Sequence, residues 1–153
     1  MTETSTGLQL LAQLFGEQPQ PVFWMKPLWG PNETGIIDFE YFYCNAAMYQ
    51  FSGLSPVQLI GNRISNTLTL KEENKAEVIE QMALVLTSGK KFEGSIYNTQ
   101  LNKYYSFTRT RVEGGVLTVI QDRTEEYKMI RELETQKNLL NSILTYSPSG
   151  ISV

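Results

Sequence analysis

The sequence predicts an α+β domain with one five-stranded antiparallel sheet and helices on one face of that sheet. Two stretches rich in aromatic and β-branched residues come before residue 45, and three more follow residue 90. The region between these two groups shows helix caps and a helical apolar repeat. With 153 residues, 41% of them hydrophobic, the chain is long enough to bury a core of its own.

A short amphipathic helix is predicted in the N-terminal segment 1–20. Leu8, Leu11 and Phe15 recur at helical spacing, and Gly16 ends the repeat. The apolar stripe needs a partner surface, and we expect a second copy of the chain to supply it.

Two strands come next, over Val22–Leu28 and Ile36–Cys44, both rich in aromatic and β-branched residues. The loop Gly30–Gly35 between them is rich in turn residues. The two strands are therefore predicted to form a hairpin.

The middle of the chain is predicted to be helical. Asn45 can cap a helix over Ala46–Phe51, and Ser55–Gln58 has the Ser-Pro-x-Gln pattern of a capping box. A second capping box, Thr69–Glu72, is expected to open a longer helix that ends at Gly89. Its buried stripe is Val78, Ile79, Met82, Val85 and Leu86.

Three further strands complete the sheet. They are predicted over Lys91–Asn98, Lys103–Val112 and Val116–Asp122. The sequence does not indicate which face of the strand Lys103–Val112 meets the core, because Tyr105 and Phe107 lie on the same face as Arg109.

The segment 123–145 reads as one long exit helix, since Thr124–Leu144 contains no Gly or Pro. Its apolar heptad positions are occupied by Ile130, Leu133, Leu140 and Leu144, with Lys137 between them. The stripe can fold back on its own sheet or form a parallel dimer seam, and we favour the seam. The expected dimer contacts are Leu8, Leu11, Phe15, Ile130, Leu133 and Leu140.

Composition excludes several classes of function. The chain has no histidine, which excludes histidine bases, His-ligated haem and His-bound zinc, and its one cysteine excludes an internal disulfide. A net charge of −3 gives no reason to expect a nucleic-acid partner. Apolar runs are too short to insert into a membrane, so we expect a cytoplasmic location.

Four segments, in this order, resemble the PAS domain family. Asn45-Ala46 after an aromatic strand is similar to its strand-Asn-x-Ala step, and Phe51–Gly61 (FSGLSPVQLIG) is similar to its helical segment ending in Gly. Thr87–Lys90 resembles the end of its long helix. Gly114–Glu125 (GGVLTVIQDRTE) resembles its last strand and the Asp-Ile-Thr step, with Arg123 in place of Ile.

The resemblance implies a PAS core over 21–122 that acts as a sensory and dimerisation module. Residues 139–153 are similar to the entry helix and first strand of another PAS domain, so 146–153 is expected to begin one. This implies a tandem-PAS bacterial signalling protein, most often a sensor histidine kinase, with a diguanylate cyclase as the other common output. The exit helix would carry the signal to that downstream output domain.

The expected site residues follow from this interpretation. Asp122 and Thr124 can cap the exit helix and also act as the signal-coupling joint between sheet and helix. A small apolar or aromatic ligand is expected against Trp24, Tyr43, Phe92 and Tyr105; the alternative is that these residues only fill the core and a dimer surface.

Two other features favour structural interpretations. Cys44 reads as a core residue, and it lies outside the Asn-Cys-Arg motif of flavin photosensors, so no cysteinyl-flavin adduct is expected. Asp38 and Glu40 read as a solvated strand face rather than an acid–base pair. Two rival functions remain: an enzyme with a carboxylate pair in an α+β cavity, and a spacer without ligand.

Overall fold

The computed structural model describes residues 2–67 and 70–146 and contains one five-stranded antiparallel sheet in the order β2-β1-β5-β4-β3. The strands are β1 (Val22–Trp29), β2 (Ile36–Cys44), β3 (Phe92–Asn98), β4 (Lys103–Val112) and β5 (Gly115–Asp122). Each predicted strand is confirmed, with bounds that differ by one residue at most.

Five α-helices accompany the sheet in the described part of the chain. They are α1 (Thr2–Phe15), α2 (Ala46–Ser52), α3 (Pro56–Leu59), α4 (Glu72–Ser88) and α5 (Thr124–Tyr146). None of these helices has the length and apolar composition needed to cross a lipid bilayer.

The helix caps explain most of the boundaries between β2 and β3. The Asn45 side chain accepts a hydrogen bond from the backbone N–H of Met48, which caps α2. Ser55 and Gln58 form the predicted capping box of α3. The box predicted at the start of α4 is not the cap: Lys71 holds the N-cap position, and Thr69 lies outside the described residues.

The main core lies between the sheet and helices α2 to α4. Met25 and Val116 from the sheet and Met82 from α4 are completely buried there, together with Phe39 of β2. Two glycines end these helices in the left-handed conformation, Gly53 at φ 71° and Gly89 at φ 75°.

A second, smaller core lies on the opposite face of the sheet. Leu11 of α1 packs there with Val22 and Leu117, and Phe15 lies at its edge. Helices α2 to α4 therefore cover one face, as predicted, and the separately predicted N-terminal helix α1 covers the other. A second copy of the chain was expected to cover the α1 stripe, but Leu11 is already buried against Val22 and Leu117 in the single chain.

The chain divides into two compact units. The larger unit comprises the chain up to Ser95 together with Ser106–Gln121. The smaller unit comprises Ile96–Tyr105 and the chain from Asp122 onward, so α5 belongs to it. Strands β3, β4 and β5 therefore contribute residues to both units.

Helix α5 extends one residue beyond the predicted segment and ends at Tyr146. Of the segment 146–153 that was expected to begin a second domain, Tyr146 belongs to α5 and residues 147–153 lie outside the described residues. Along α5, the predicted seam side chains are exposed, including Ile130, Leu133 and Leu140.

Candidate functional site

The start of helix α5 is capped by Asp122 and is joined to strand β4 by hydrogen bonds to Tyr104. Asp122 Oδ1 accepts from the N–H of Thr124 at 2.9 Å, which caps the first turn. The Thr124 hydroxyl oxygen accepts from the N–H of Tyr104 at 3.0 Å, and the N–H of Arg123 donates to the Tyr104 carbonyl at 2.7 Å. Both predicted joint residues are thus at the junction, but Thr124 bonds the strand rather than the helix.

Tyr104 is the centre of this junction, and the sequence reading missed it. Its ring lies 4.5 Å from the ring of Tyr97 on β3 and 4.8 Å from that of Tyr127 on α5. The Arg131 guanidinium lies 5.0 Å from the Tyr104 ring centre, within cation–π range. Tyr104 therefore connects the end of the β3–β4 hairpin with the first two turns of α5.

The Asp122 carboxylate is held in its ionised form at this junction. Hydrogen bonds from the Thr124 hydroxyl and then the Thr124 N–H lower the pKa of Asp122, although partial burial acts in the opposite direction. Lys103 lies 4.0 Å away and adds a smaller attraction. The cap on α5 is therefore complete at neutral pH.

The aromatic residues predicted to line one ligand pocket include side chains from both faces of the sheet. Trp24 and Tyr43 belong to the α1 side of the sheet, where the Trp24 indole N–H donates to the Val112 carbonyl at 2.8 Å. Phe92 belongs to the main core on the other face. Tyr105 belongs to the smaller unit, where burial and then the charge of Asp122 raise its pKa.

The position of β1 in the sheet explains why its core-facing side chains could not be predicted. This strand lies between β2 and β5 and is apolar on both faces, so its sequence does not indicate which face meets α2 to α4. Phe23 and Met25 point to the main core, and Trp24 points to α1.

A groove of about 590 Å³ lies between α4 and the β1–β2 turn, and none of the four predicted pocket residues lines it. Its lining is mainly apolar, with the acidic side chains Glu77 and Glu80 at α4. The Gln81 Oε1 atom is buried there without a hydrogen-bond partner among the described residues. Trp29, which is half exposed, forms part of the opposite wall.

Asn45 does more than cap a helix. Its Oδ1 accepts from the N–H of Val22 at 2.9 Å as well as from Met48 at 3.0 Å. Its amide nitrogen donates to the carbonyls of Phe15 and Gln20, both at 2.9 Å. One buried amide therefore connects the end of α1, the start of β1 and the start of α2.

Asp38 contradicts the prediction of a solvated strand face. It is 5% exposed, and its carboxylate accepts hydrogen bonds from the N–H of Phe39 and from the N–H and hydroxyl of Ser65. Lys75 donates to the Ser65 carbonyl at 3.0 Å. Glu40 is only partly buried and pairs with Lys26 at 3.4 Å. The two carboxylates therefore have different surroundings and do not form a pair.

Cys44 is buried at the end of β2, as predicted for a core residue. Burial raises the pKa of its thiol to about 12. A thiol in this environment is neutral and poorly nucleophilic at physiological pH.

Comparison with known proteins relates the fold to solved structures. No family model and no curated protein matches the sequence. The PAS domain of Bordetella pertussis BvgS matches with a TM-score of 0.59 at 16% identity, over 87% of this chain and 98% of that one. An RNA-binding light-oxygen-voltage receptor matches with a TM-score of 0.56 at 14% identity, over 93% of this chain and 39% of that one. A domain of an HTR-like protein from Haloarcula marismortui ATCC 43049 matches with a TM-score of 0.50 at 14% identity, over 69% and 98% of the two chains.

These similarities agree with the architecture described above. The helices α2, α3 and α4 are inserted between the second and third strands of an antiparallel sheet, and a long helix follows the fifth strand. The fold expected from the sequence is confirmed: this chain has the PAS fold.

Proposed function

We propose that the chain is a sensory and dimerisation module that passes the state of a ligand or partner through α5 to an output domain. The observation that carries the proposal is the bonding of Thr124 and Arg123 to Tyr104. Because these bonds fix the first turn of α5 on a sheet strand, a change in that strand would reorient the helix. A receptor among the structures with a similar fold supports a sensory role.

The dimer is proposed to form through the exposed stripe of α5. Ile130 is 49% exposed, Leu133 64% and Leu140 57%, so these side chains are available to a parallel copy. Leu8 and Phe15 are half buried and Leu11 is buried, so the part of α1 that remains open is its other side, with Leu10 and Leu14. We propose α5 as the main seam.

The output domain is proposed to be a histidine kinase, and the module is proposed to work in the cytoplasm. Both proposals rest on the resemblance of the motifs around Asn45 and Asp122 to PAS signalling modules. The rival enzyme hypothesis has less support, because Asp38 is engaged by Ser65 and Glu40 by Lys26. Neither carboxylate lines the groove beside α4.

The relay is tested in the parent protein that carries the output domain. Thr124→Ala and Asp122→Ala are expected to lower the melting temperature only slightly and to abolish or lock regulated output. Thr124→Ser, which keeps the hydroxyl, is the matched control and should retain regulation. Normal regulated output in both alanine variants would show that the junction is only a helix cap. Complete unfolding of either one would show that the residue acts in the core.

A further inference from the structure

Arg109 on β4 is a buried cation that the proposed relay does not use. The residue is 7% exposed and belongs to the larger unit. One of its terminal nitrogens donates to the Thr118 hydroxyl at 2.9 Å, and its guanidinium carbon lies 4.7 Å from the centre of the Phe107 ring. Its Nε atom is buried with no hydrogen-bond partner among the described residues.

The surroundings of Arg109 do not balance its charge. The ion pairs formed by the described residues do not include it, and its hydrogen-bond acceptor on Thr118 is neutral. Burial lowers the pKa of Arg109 to about 10, so the group is still a cation at neutral pH. A buried charge is normally paired or hydrogen-bonded at each donor, since burying it alone is unfavourable.

A role in packing alone does not account for an arginine at this position. An apolar side chain of similar volume would fill the same space without a desolvation cost. Phe107 and Phe92 stack at 5.9 Å between ring centres, and both are only partly buried. Both side chains therefore keep part of their surface accessible.

We propose that Arg109 anchors a small ligand that carries a carboxylate on an aromatic body. The guanidinium has a planar set of donors that matches a carboxylate, and the unpaired Nε–H supplies one of them. The aromatic body stacks against Phe107 and Phe92. The proposal rests on the proposed sensory function and specifies its ligand class.

The test compares benzoate with its neutral isostere benzamide by calorimetry on the purified chain. Benzoate is expected to bind at least about tenfold more tightly than benzamide, because only benzoate pairs with the buried charge. Arg109→Gln should lose about the same factor for benzoate. Arg111→Gln, an exposed arginine on the same strand, is the matched control and should leave benzoate binding unchanged. Equal binding of benzoate and benzamide would overturn the anchor while leaving a sensory site for neutral ligands.

A second measurement remains valid if Arg109→Gln does not fold. In the wild-type chain, the NMR signal of the Arg109 Nε–H should shift when benzoate, phenylacetate or indole-3-acetate is added, and should not shift with benzamide. No shift with any of the three acids at millimolar concentration would overturn the proposal. A shift without any change in amide exchange along α5 would establish the site and argue against the relay, so the two proposals can fail separately.

Discussion

The hydroxyl oxygen of Thr124 accepts a hydrogen bond from the backbone N–H of Tyr104 at 3.0 Å, which ties the first residue of α5 to strand β4. The carbonyl of the same Tyr104 accepts from the N–H of Arg123. Both polar groups of one strand residue are therefore used by the start of the helix. Because the Thr124 hydroxyl bonds to strand β4, the cap of α5 is left to Asp122, two positions earlier. Capping of the helix and its attachment to the strand are therefore performed by different side chains.

The first prediction concerns the ionisation of Asp122. Because hydrogen bonds from Thr124 lower its pKa in the folded chain, Thr124→Val should raise that pKa toward the ordinary value of 3.8. The stabilisation from ionised Asp122 is complete above the unfolded pKa and is lost as pH falls through the folded pKa. The carboxyl carbon of Asp122, followed by NMR from pH 6 to pH 2, measures the shift. Thr124→Ser is the control, and an unchanged pKa in Thr124→Val would contradict the assignment.

The second prediction concerns the buried amide of Asn45. Asn45→Ala removes the cap on α2 and leaves the N–H of Val22 and the carbonyls of Phe15 and Gln20 without their partner. We expect a loss of about 3 kcal/mol in the free energy of unfolding, measured by urea denaturation. Asn66→Ala, on an exposed residue, should change it by less than about 0.5 kcal/mol.

Asn45→Asp adds a pH-dependent test of the same site. Its carboxylate would face the carbonyl oxygens of Phe15 and Gln20, and only the protonated form can donate to them. The folded pKa of the new group should therefore be raised, so the variant should lose stability relative to wild type as pH rises above about 4. Equal stability differences at acid and neutral pH would refute this arrangement.

The third prediction separates Asp38 from Glu40. Asp38→Ala leaves the N–H of the buried Phe39 and the N–H and hydroxyl of Ser65 without this acceptor, and we expect a cost of about 3 kcal/mol. Glu40→Ala removes an ion pair with Lys26 that is partly exposed, so its cost should be below about 1 kcal/mol. Urea denaturation of both variants checks the difference. Similar losses of unfolding free energy in the two variants would support the original prediction that both carboxylates lie on one solvated face.

The fourth prediction contrasts the two leucine stripes. Leu133→Asp should convert a dimer to a monomer in sedimentation runs at micromolar concentration, with little change in unfolding free energy, because Leu133 is 64% exposed. Leu11→Asp buries a charge in the core on the α1 side and should destabilise the fold by about 3 kcal/mol or more. A dimer that persists in Leu133→Asp would move the interface away from α5.

The fifth prediction concerns the reactivity of Cys44. A shift of its pKa from 9.0 to about 12 lowers the thiolate fraction at pH 8 about a thousandfold. Iodoacetamide should therefore modify the native chain far more slowly than the chain in guanidinium chloride, where Cys44 is the only thiol. Equal rates in the two conditions would mean that the end of β2 opens readily.

The sequence predicted the elements of this fold better than it predicted their contacts. Turn residues, caps and alternation are local, so the bounds of β2 and the cap at Asn45 could be predicted closely. The face of β1 could not, because Trp24 and Met25 are both apolar and nothing local distinguishes them. The prediction therefore put Trp24 and Phe92 in one pocket, although they lie on opposite faces of the sheet.

Long-range pairing accounts for the other corrections. Asp38 follows the alternation of an exposed edge strand, but Ser65, 27 positions later, returns to cover it. Tyr104 resembles any strand tyrosine until the exit helix, 20 positions later, bonds to its backbone. The Leu11 stripe indicated an apolar face without indicating what covers it.

The positions of the two tryptophans give the chain a built-in optical reporter. Trp24 lies beneath α1 with its indole N–H bonded to Val112, whereas Trp29 is 51% exposed at the end of the same strand. In a chain whose only tryptophan is Trp24, the wavelength of tryptophan fluorescence and its quenching by iodide would report the dissociation of α1 from the sheet in real time. A chain that keeps only Trp29 would report the groove beside α4 in the same way, so one spectrometer could tell motions on the two faces apart.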